Sequence, residues 1–444
     1  MTASRLPNRA VIALSAPAVP MFAMMMPLAV FLPAFYADSL GLGMAVVGSI
    51  FALGRTFDVV TDPFAGVLMD RLQSKVQRKT WLAIGAVPIG VAVANLFFAT
   101  GSVSTVWVFG WLLCLYLGWT LMSVGLYSWA AETTTDYHER SRVMASIQAA
   151  NSVGSVLVLL TPALVEWFSP GEGIGALRVQ AMGWFILVTL PISVLIALKF
   201  GPPSITQVSS RPQLSLWAGL KLVLRNSVLG RLLLADLAIG LLIGVGASMA
   251  VFFVEIVLNL QGRAGTLQLF SLLAGLLCIP IWVALAKKLE KHNALSLTAA
   301  VSFLGGLFTL WVPAESFLIY FVGSTVLGTG LAGLQFLPRA IMADVVDRDR
   351  LESGEERSGL YYAFLTTTLK VGLALGIAVA FFLADLGGFD PAVARTTGEG
   401  AEVVRYVNGL SSMALAVICI LAMWHFPLGR DAQKVLQSSL QESR

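Results

Sequence analysis

Four ionisable residues stand where an apolar chain has least use for them. Arg55, Asp58 and Asp62 fall within one apolar run, 43–69, and Lys370 near the middle of another, 358–385. A charged side chain at the centre of a bilayer costs at least about 2.5–3.5 kcal/mol, so it normally has a partner and faces a cavity. Positions 55, 58 and 62 are spaced i, i+3 and i+7, which places all three on one helical face. Two carboxylates and one guanidinium leave a local charge of −1, which suits one monovalent cation or one proton. An inert ion network bracing the helices would balance its own charge. Lys370 needs a carboxylate, and Asp58 and Asp62 are the natural partners. A lysine reaching to the interface would stand at a helix end instead.

Weaker signals surround these. In the run 104–132, Thr120, Ser123 and Tyr127 repeat the i, i+3, i+7 spacing, with Trp119 and Trp129 beside them. Hydroxyl oxygens suit a hard cation such as Na⁺, and they serve equally in hydrogen bonding between helices. Thr366 and Thr367 lie one turn before Lys370. Asp236 and Glu255 lie within two turns of the ends of their run, 230–258, where a gate salt bridge or a water-exposed end is the expected role.

The composition explains how such residues are held. The chain is 57% hydrophobic and 12% charged, with a mean hydropathy of +0.81. A soluble domain carries roughly 25% charged residues, so this chain lacks the charge to cover a water-facing surface. Twelve apolar runs between residues 11 and 427 are each long enough to span a membrane. Lys and Arg outside these runs gather on the side that holds both termini; only Arg178, Arg263, Arg395 and Arg405 fall on the other. That asymmetry predicts cytoplasmic termini in an inner membrane and removes the case for a nucleic-acid partner. Cys114, Cys278 and Cys419 lie inside apolar runs and read as small buried hydrophobes. His138 and His292 fall in predicted loops and His425 near a helix end, with no metal-ligand spacing. No nucleophile–base pair or phosphate loop is present, so an enzyme is not expected.

The expected fold is an all-α membrane protein of twelve transmembrane helices in two six-helix halves. Residues 1–200 form an N-terminal bundle with the cation site. Residues 201–229, rich in Pro and Ser with an amphipathic stretch from Leu214 to Arg225, form a central cytoplasmic loop. Residues 230–444 form the C-terminal bundle. Asp62-Pro63 with Asp70-Arg71 and a basic loop in the first half is matched by Pro280 with Lys287-Lys288 in the second. Two six-helix halves around a central site are the major facilitator architecture.

Residues Gly54 to Gly66, followed by Asp70-Arg71, resemble the second-span signature of the glycoside–pentoside–hexuronide:cation symporter family, the melibiose permease-like transporters. Phe35-Tyr36-Ala37-Asp38, the segment Asp136 to Arg142, Ala343 to Asp347, and Arg357 to Tyr361 resemble other family segments, and Lys370 falls where the family has its eleventh-span lysine. The resemblance covers nearly the whole chain. It implies that Asp58, Asp62 and Thr120 bind Na⁺ or H⁺, that Arg55 and Lys370 complete a charge network, and that the coupled solute is a sugar or glycoside. No other cofactor is implied. Ser123, Tyr127, Gln148, Thr366 and Thr367 are expected to line the substrate cavity. Asp70, Arg71, Arg140 and Arg142 are expected to lock the cytoplasmic face of a monomer.

The substrate half departs from the family pattern. Family members of the melibiose type carry acids in spans one and four and an arginine in span five. Here Pro20 to Met26 contains no acid, and Ser123 and Gln148 occupy the other two positions. A Met-rich wall would suit a bulkier, less polar solute. Three readings therefore stand: cation-coupled symport of a sugar, glycoside or related solute; symport of an amphipathic solute such as a lysolipid; and a proton-coupled exporter or a sensor.

Overall fold

The computed structural model describes residues 6–72, 76–134, 137–169, 174–203, 226–353 and 358–429. Among them the chain is helical throughout. Eleven helices are long and apolar enough to cross a membrane: α1 Asn8–Ser39, α2 Met44–Arg71, α4 Thr105–Glu132, α5 Tyr137–Phe168, α6 Gly175–Phe200, α7 Ser227–Val257, α8 Ala264–Leu289, α9 Lys291–Trp311, α10 Phe317–Ser353, α11 Ser358–Leu386 and α12 Ala401–Met423. The twelfth, α3 Thr80–Leu96, has 17 residues, about 26 Å of helix. It is shorter than the run 80–99 expected, because the helix stops at Leu96. Helices α5 and α10 extend beyond their apolar runs, since a helix need not end where the lipid does. His138 and His292 consequently lie in helices rather than loops. The stretch 204–225, with its expected amphipathic segment, lies outside the described residues.

The packing repeats with a period of six helices. In the first half α1 packs on α5 and α6, α3 on α4 and α6, and α2 on α4. Adding six to each label gives the contacts of the second half: α7 on α11 and α12, α9 on α10 and α12, and α8 on α10. The halves meet through α2 on α11 and α5 on α8, a pair related by the same operation, and through α1 on α7. The repeat reaches single residues. A π-helical turn ends α1 at Phe35–Ser39 and another ends α7 at Phe253–Val257. Each is followed by a left-handed residue, Gly41 at φ +67° and Asn259 at φ +55°.

Small residues set the closest crossings. Gly240 and Gly244 of α7 face Gly372 and Gly376 of α11 so closely that a Cβ on Gly240 would lie 2.9 Å from the Gly372 Cα. Two small-xxx-small motifs meeting in this way bring backbones into contact, the main source of helix association in lipid. Large apolar side chains such as Phe64, Val106, Phe168, Leu277 and Trp311 are exposed on the outside, where lipid would cover them.

Both described chain ends lie at one end of the bundle, the near end. Arg142 at the start of α5 donates to the Leu6 carbonyl, and Arg231 at the start of α7 donates to the Ala422 carbonyl at the end of α12. The far end is filled with buried rings, including Tyr36, Phe252, Phe253, Phe381 and Phe389.

Candidate functional site

The straight second helix brings Arg55, Asp58 and Asp62 onto one face, opposite Thr120 of α4 and Lys370 of α11. Lys370 Nζ donates to Asp58 Oδ2 at 3.0 Å and to Asp62 Oδ2 at 2.6 Å. The other oxygen of each carboxylate faces Thr120, whose Oγ1 is 3.1 Å from Asp58 Oδ1 and 2.9 Å from Asp62 Oδ1. Thr61 Oγ1 adds a third oxygen 3.3 Å from the same hydroxyl. A threonine hydroxyl has one proton to give, so it cannot satisfy both carboxylates at once. The point between Asp58, Asp62 and Thr120 is therefore rich in oxygen and short of donors.

Burial grades across the cluster. Asp58 and Thr120 are fully buried and Arg55 nearly so, while the side chains of Asp62 and Lys370 are 30% and 23% exposed. Access comes from the near end, because buried rings close the far one. Arg55 backs the cluster: its Nη1 stands 3.8 Å from Asp58 Oδ2, its Nη2 donates to Met25 Sδ at 3.0 Å, and its guanidinium lies over the Tyr116 ring. The spacing analysis missed Thr61, Tyr116 and Met25. Tyr116 precedes Thr120 by one turn and so belongs to the polar stripe of α4, a signal the sequence does contain.

The remaining expected residues divide. Ser123 is half-buried, one turn from Thr120, with its hydroxyl returned to the Thr120 carbonyl. Tyr127, Gln148, Thr366 and Thr367 are exposed and touch none of the charged residues through a printed bond; the Thr366 hydroxyl is held by its own helix. Met21 and Met24 are fully buried in the core, so they form no wall to a cleft. Asp236 is not a water-exposed end. It is 3% exposed and accepts from Thr368 Oγ1 at 2.8 Å, because α7 starts earlier than its apolar run and carries Asp236 deeper. Of the expected gate residues, Arg142 ties α5 to Leu6, Asn8 and Glu139 inside the first half. Arg71 is exposed. The side chains of Asp70 and Arg140 lie outside the described set.

A second charged cluster, at the far end, went unread apart from Glu255. Glu166 of α5 accepts from Arg178 Nη1 at 3.1 Å, from the Gly265 and Thr266 amides at 2.7 and 2.8 Å, and from Thr266 Oγ1 at 2.7 Å. A carboxylate at the first turn of α8 also meets the positive end of the helix dipole. Arg178 Nη1 lies 2.5 Å from Glu255 Oε1. Arg395, on the short helix Pro391–Thr397, grips Asp38 with two nitrogens at 3.0 and 2.7 Å and reaches Glu255 Oε2 at 3.2 Å. Residues of this cluster line a cavity of about 400 Å³. Among the described residues no group of three or more His, Cys, Asp or Glu side chains is placed to hold a metal ion.

The sequence profile described as MFS/sugar transport protein matches residues 13–430. The chain is 25% identical over 413 residues to a glucuronide carrier protein homolog of Escherichia coli, covering 90% of this chain and 88% of that protein. It is 24% identical over 374 residues to the isoprimeverose transporter of Lactiplantibacillus pentosus, covering 80% and 75%. Its fold matches the inward-facing crystal structure of a bacterial homolog of the human lysosomal transporter Spinster, with a TM-score of 0.69 over 99% of both chains at 11% identity. The six-helix repeat, the membrane-length helices and the matched profile agree: the chain belongs to the MFS/sugar transport protein family, the glycoside–pentoside–hexuronide:cation symporters of the major facilitator superfamily, and is a membrane transporter rather than an enzyme.

Proposed function

We propose that this transporter is a monomer in the inner membrane, with its near end in the cytoplasm, and that Asp58, Asp62 and Thr120 bind the coupling Na⁺ or H⁺. The observation that carries the reading is the shared position of Lys370 and the vacant oxygen cluster. Each carboxylate gives one oxygen to Lys370 and turns the other toward Thr120. Lys370 thus neutralises the pair when no cation is bound. A cation between Asp58, Asp62 and Thr120 would compete for the same carboxylates and free Lys370 toward the cleft. Solute and cation then favour each other's binding, and linkage makes that preference reciprocal. With the far end tied by Glu166, Arg178, Glu255 and Arg395, the structure corresponds to a carrier open to the cytoplasm. The solute is a sugar, a glycoside or a related polar compound. Burial of Met21 and Met24 removes the main support for an amphipathic one.

Thermal stability of the purified protein in NaCl, LiCl and choline chloride at fixed ionic strength tests the cation site. A ligand that binds only the folded state stabilises by RT ln(1 + [L]/Kd), about 2.7 kcal/mol at a hundredfold excess over Kd. Sodium-specific stabilisation that disappears in Asp58→Asn and Asp62→Asn is the outcome expected for a Na⁺ carrier. Stabilisation that follows pH and ignores sodium, again lost in both variants, identifies H⁺. Survival of either effect in both variants would refute the assignment.

A further inference from the structure

Arg339 of α10 is exposed, and its guanidinium donates only to the Gln335 carbonyl of its own helix. It forms no ion pair among the described residues. Its backbone carbonyl accepts from Tyr362 Oη of α11 at 3.2 Å. Its charge acts on Tyr127 of α4, in the opposite half, as well as on Asp236 of α7 and Tyr362. Arg339 therefore faces the cleft between the halves and not the lipid. Tyr127 lies two turns past Thr120 toward the near end, and Tyr362 two turns from Lys370 in the same direction. The guanidinium thus stands about 10 Å inward of the cation cluster. Gln335, one turn outward on the same exposed face, points its amide into the interval.

Charge balance gives this position its meaning. Arg55, Lys370 and Arg339 are offset by Asp58, Asp62 and Asp236, so the cleft is neutral before loading. One Na⁺ or one H⁺ brings it to +1. A neutral solute leaves that charge uncompensated when the cleft closes to water, where unpaired charge is strongly disfavoured. A singly anionic solute cancels it. The acids that hold neutral sugars in family members of the melibiose type are absent here, and an arginine without an acidic partner is present.

We propose that Arg339, with Gln335 and Tyr127, forms an anion-binding subsite on the cytoplasmic side of the cation cluster, and that the co-transported solute carries a carboxylate or sulfonate. This rests on the symport reading above. The planar guanidinium can take both oxygens of such a group at once, which a lysine ammonium cannot. Gln335 and Tyr127 supply hydroxyl-matching groups for the rest of the solute.

The test uses two probes with the same ring and aglycone, 4-nitrophenyl β-D-glucuronide and 4-nitrophenyl β-D-glucopyranoside, in proteoliposomes with an imposed Na⁺ or H⁺ gradient. The wild type is expected to take up the glucuronide with a KM at least about tenfold below that of the glucoside, the scale of one charge-assisted bidentate contact. Uptake of the glucuronide should not respond to an imposed membrane potential, because cation and anion cross together. Arg339→Gln should raise the glucuronide KM about tenfold and leave kcat and glucoside uptake within about twofold, with Arg339→Lys intermediate. A wild type that prefers the glucoside, or an Arg339→Gln carrier with an unchanged glucuronide KM, overturns the subsite and leaves symport standing. If neither probe is accumulated, symport of glycosides fails, and stabilisation of the purified protein by glucuronate over glucose decides the subsite alone. Equal stabilisation by both overturns it.

Discussion

Glu166 and Asp62 are carboxylates that bridge the two halves, yet one is wholly enclosed and the other is 30% exposed. The difference lies in their donors. Glu166 is held by two backbone amides, a hydroxyl and Arg178, all of which are fixed once α5 and α8 pack. Such a set compensates burial fully and offers nothing for a passing ion to displace. Asp62 is held by a flexible lysine and by a hydroxyl it shares with Asp58. Its donors can be exchanged one for one with a cation. The same residue types thus make a clasp at the far end and an exchangeable site at the centre. What separates them is whether the donors come from the backbone or from mobile side chains.

The comparison can be broken at its strongest point first. Lys370→Ala leaves Asp58 and Asp62 with Arg55 as their remaining cation. Removing one partner of a buried pair costs about 3–5 kcal/mol, so coupled accumulation should fall by roughly a hundredfold or more while cation-dependent stabilisation persists. Unchanged accumulation in proteoliposomes would show that the lysine is no part of the exchange. Next in size, Arg178→Gln strands Glu166 and Glu255 at the far end. The expected effect is opening of that end. It is read as at least about tenfold faster reaction of an Ala34→Cys reporter with an impermeant maleimide, in a background lacking the three native cysteines. Ala34 lines the far-end cavity and is 4% exposed in the closed state. Labelling at the wild-type rate would mean that the packed rings, not the charges, hold the closure. The smallest change is Asp38→Asn, whose pair with Arg395 is partly exposed. A loss within about 1 kcal/mol is expected, visible as a shift of only a few degrees in the thermal midpoint. A larger shift would place Asp38 among the residues the clasp requires.

The central cluster was legible because its signal is local. An i, i+3, i+7 spacing of charges in an apolar run states both the helix and the face, and an isolated lysine in a second run states that it needs them. The far-end clasp was not legible for the opposite reason. Asp38, Glu166, Arg178 and Arg395 each look like an ordinary polar residue at the end of a span, and only the tertiary fold brings them together. The π-helical ends of α1 and α7 place two of the acids, and a π turn leaves no mark in the hydrophobic pattern. The six-helix repeat was visible at the junctions after the second and eighth helices. Its finer evidence, a left-handed residue after each π turn, is carried by Gly41 in one half and Asn259 in the other, so the residue types differ while the backbone does not. Arg142 misled because a basic residue near a loop has many possible partners, and here the N-terminal segment claims it.

The seam between α7 and α11 also bears on how the chain is made. The glycine face of α7 and the buried Asp236 find their partners only in α11, with Asp236 and Thr368 separated by 132 positions. At a synthesis rate of about 5–20 residues per second, α7 waits on the order of ten seconds in the membrane before α11 emerges. During that interval an aspartate and a groove of bare backbone face lipid or a membrane chaperone. The second half of the molecule is therefore assembled late and as a unit, and a ribosome that stalls before residue 368 leaves behind a helix with an unmet need for company.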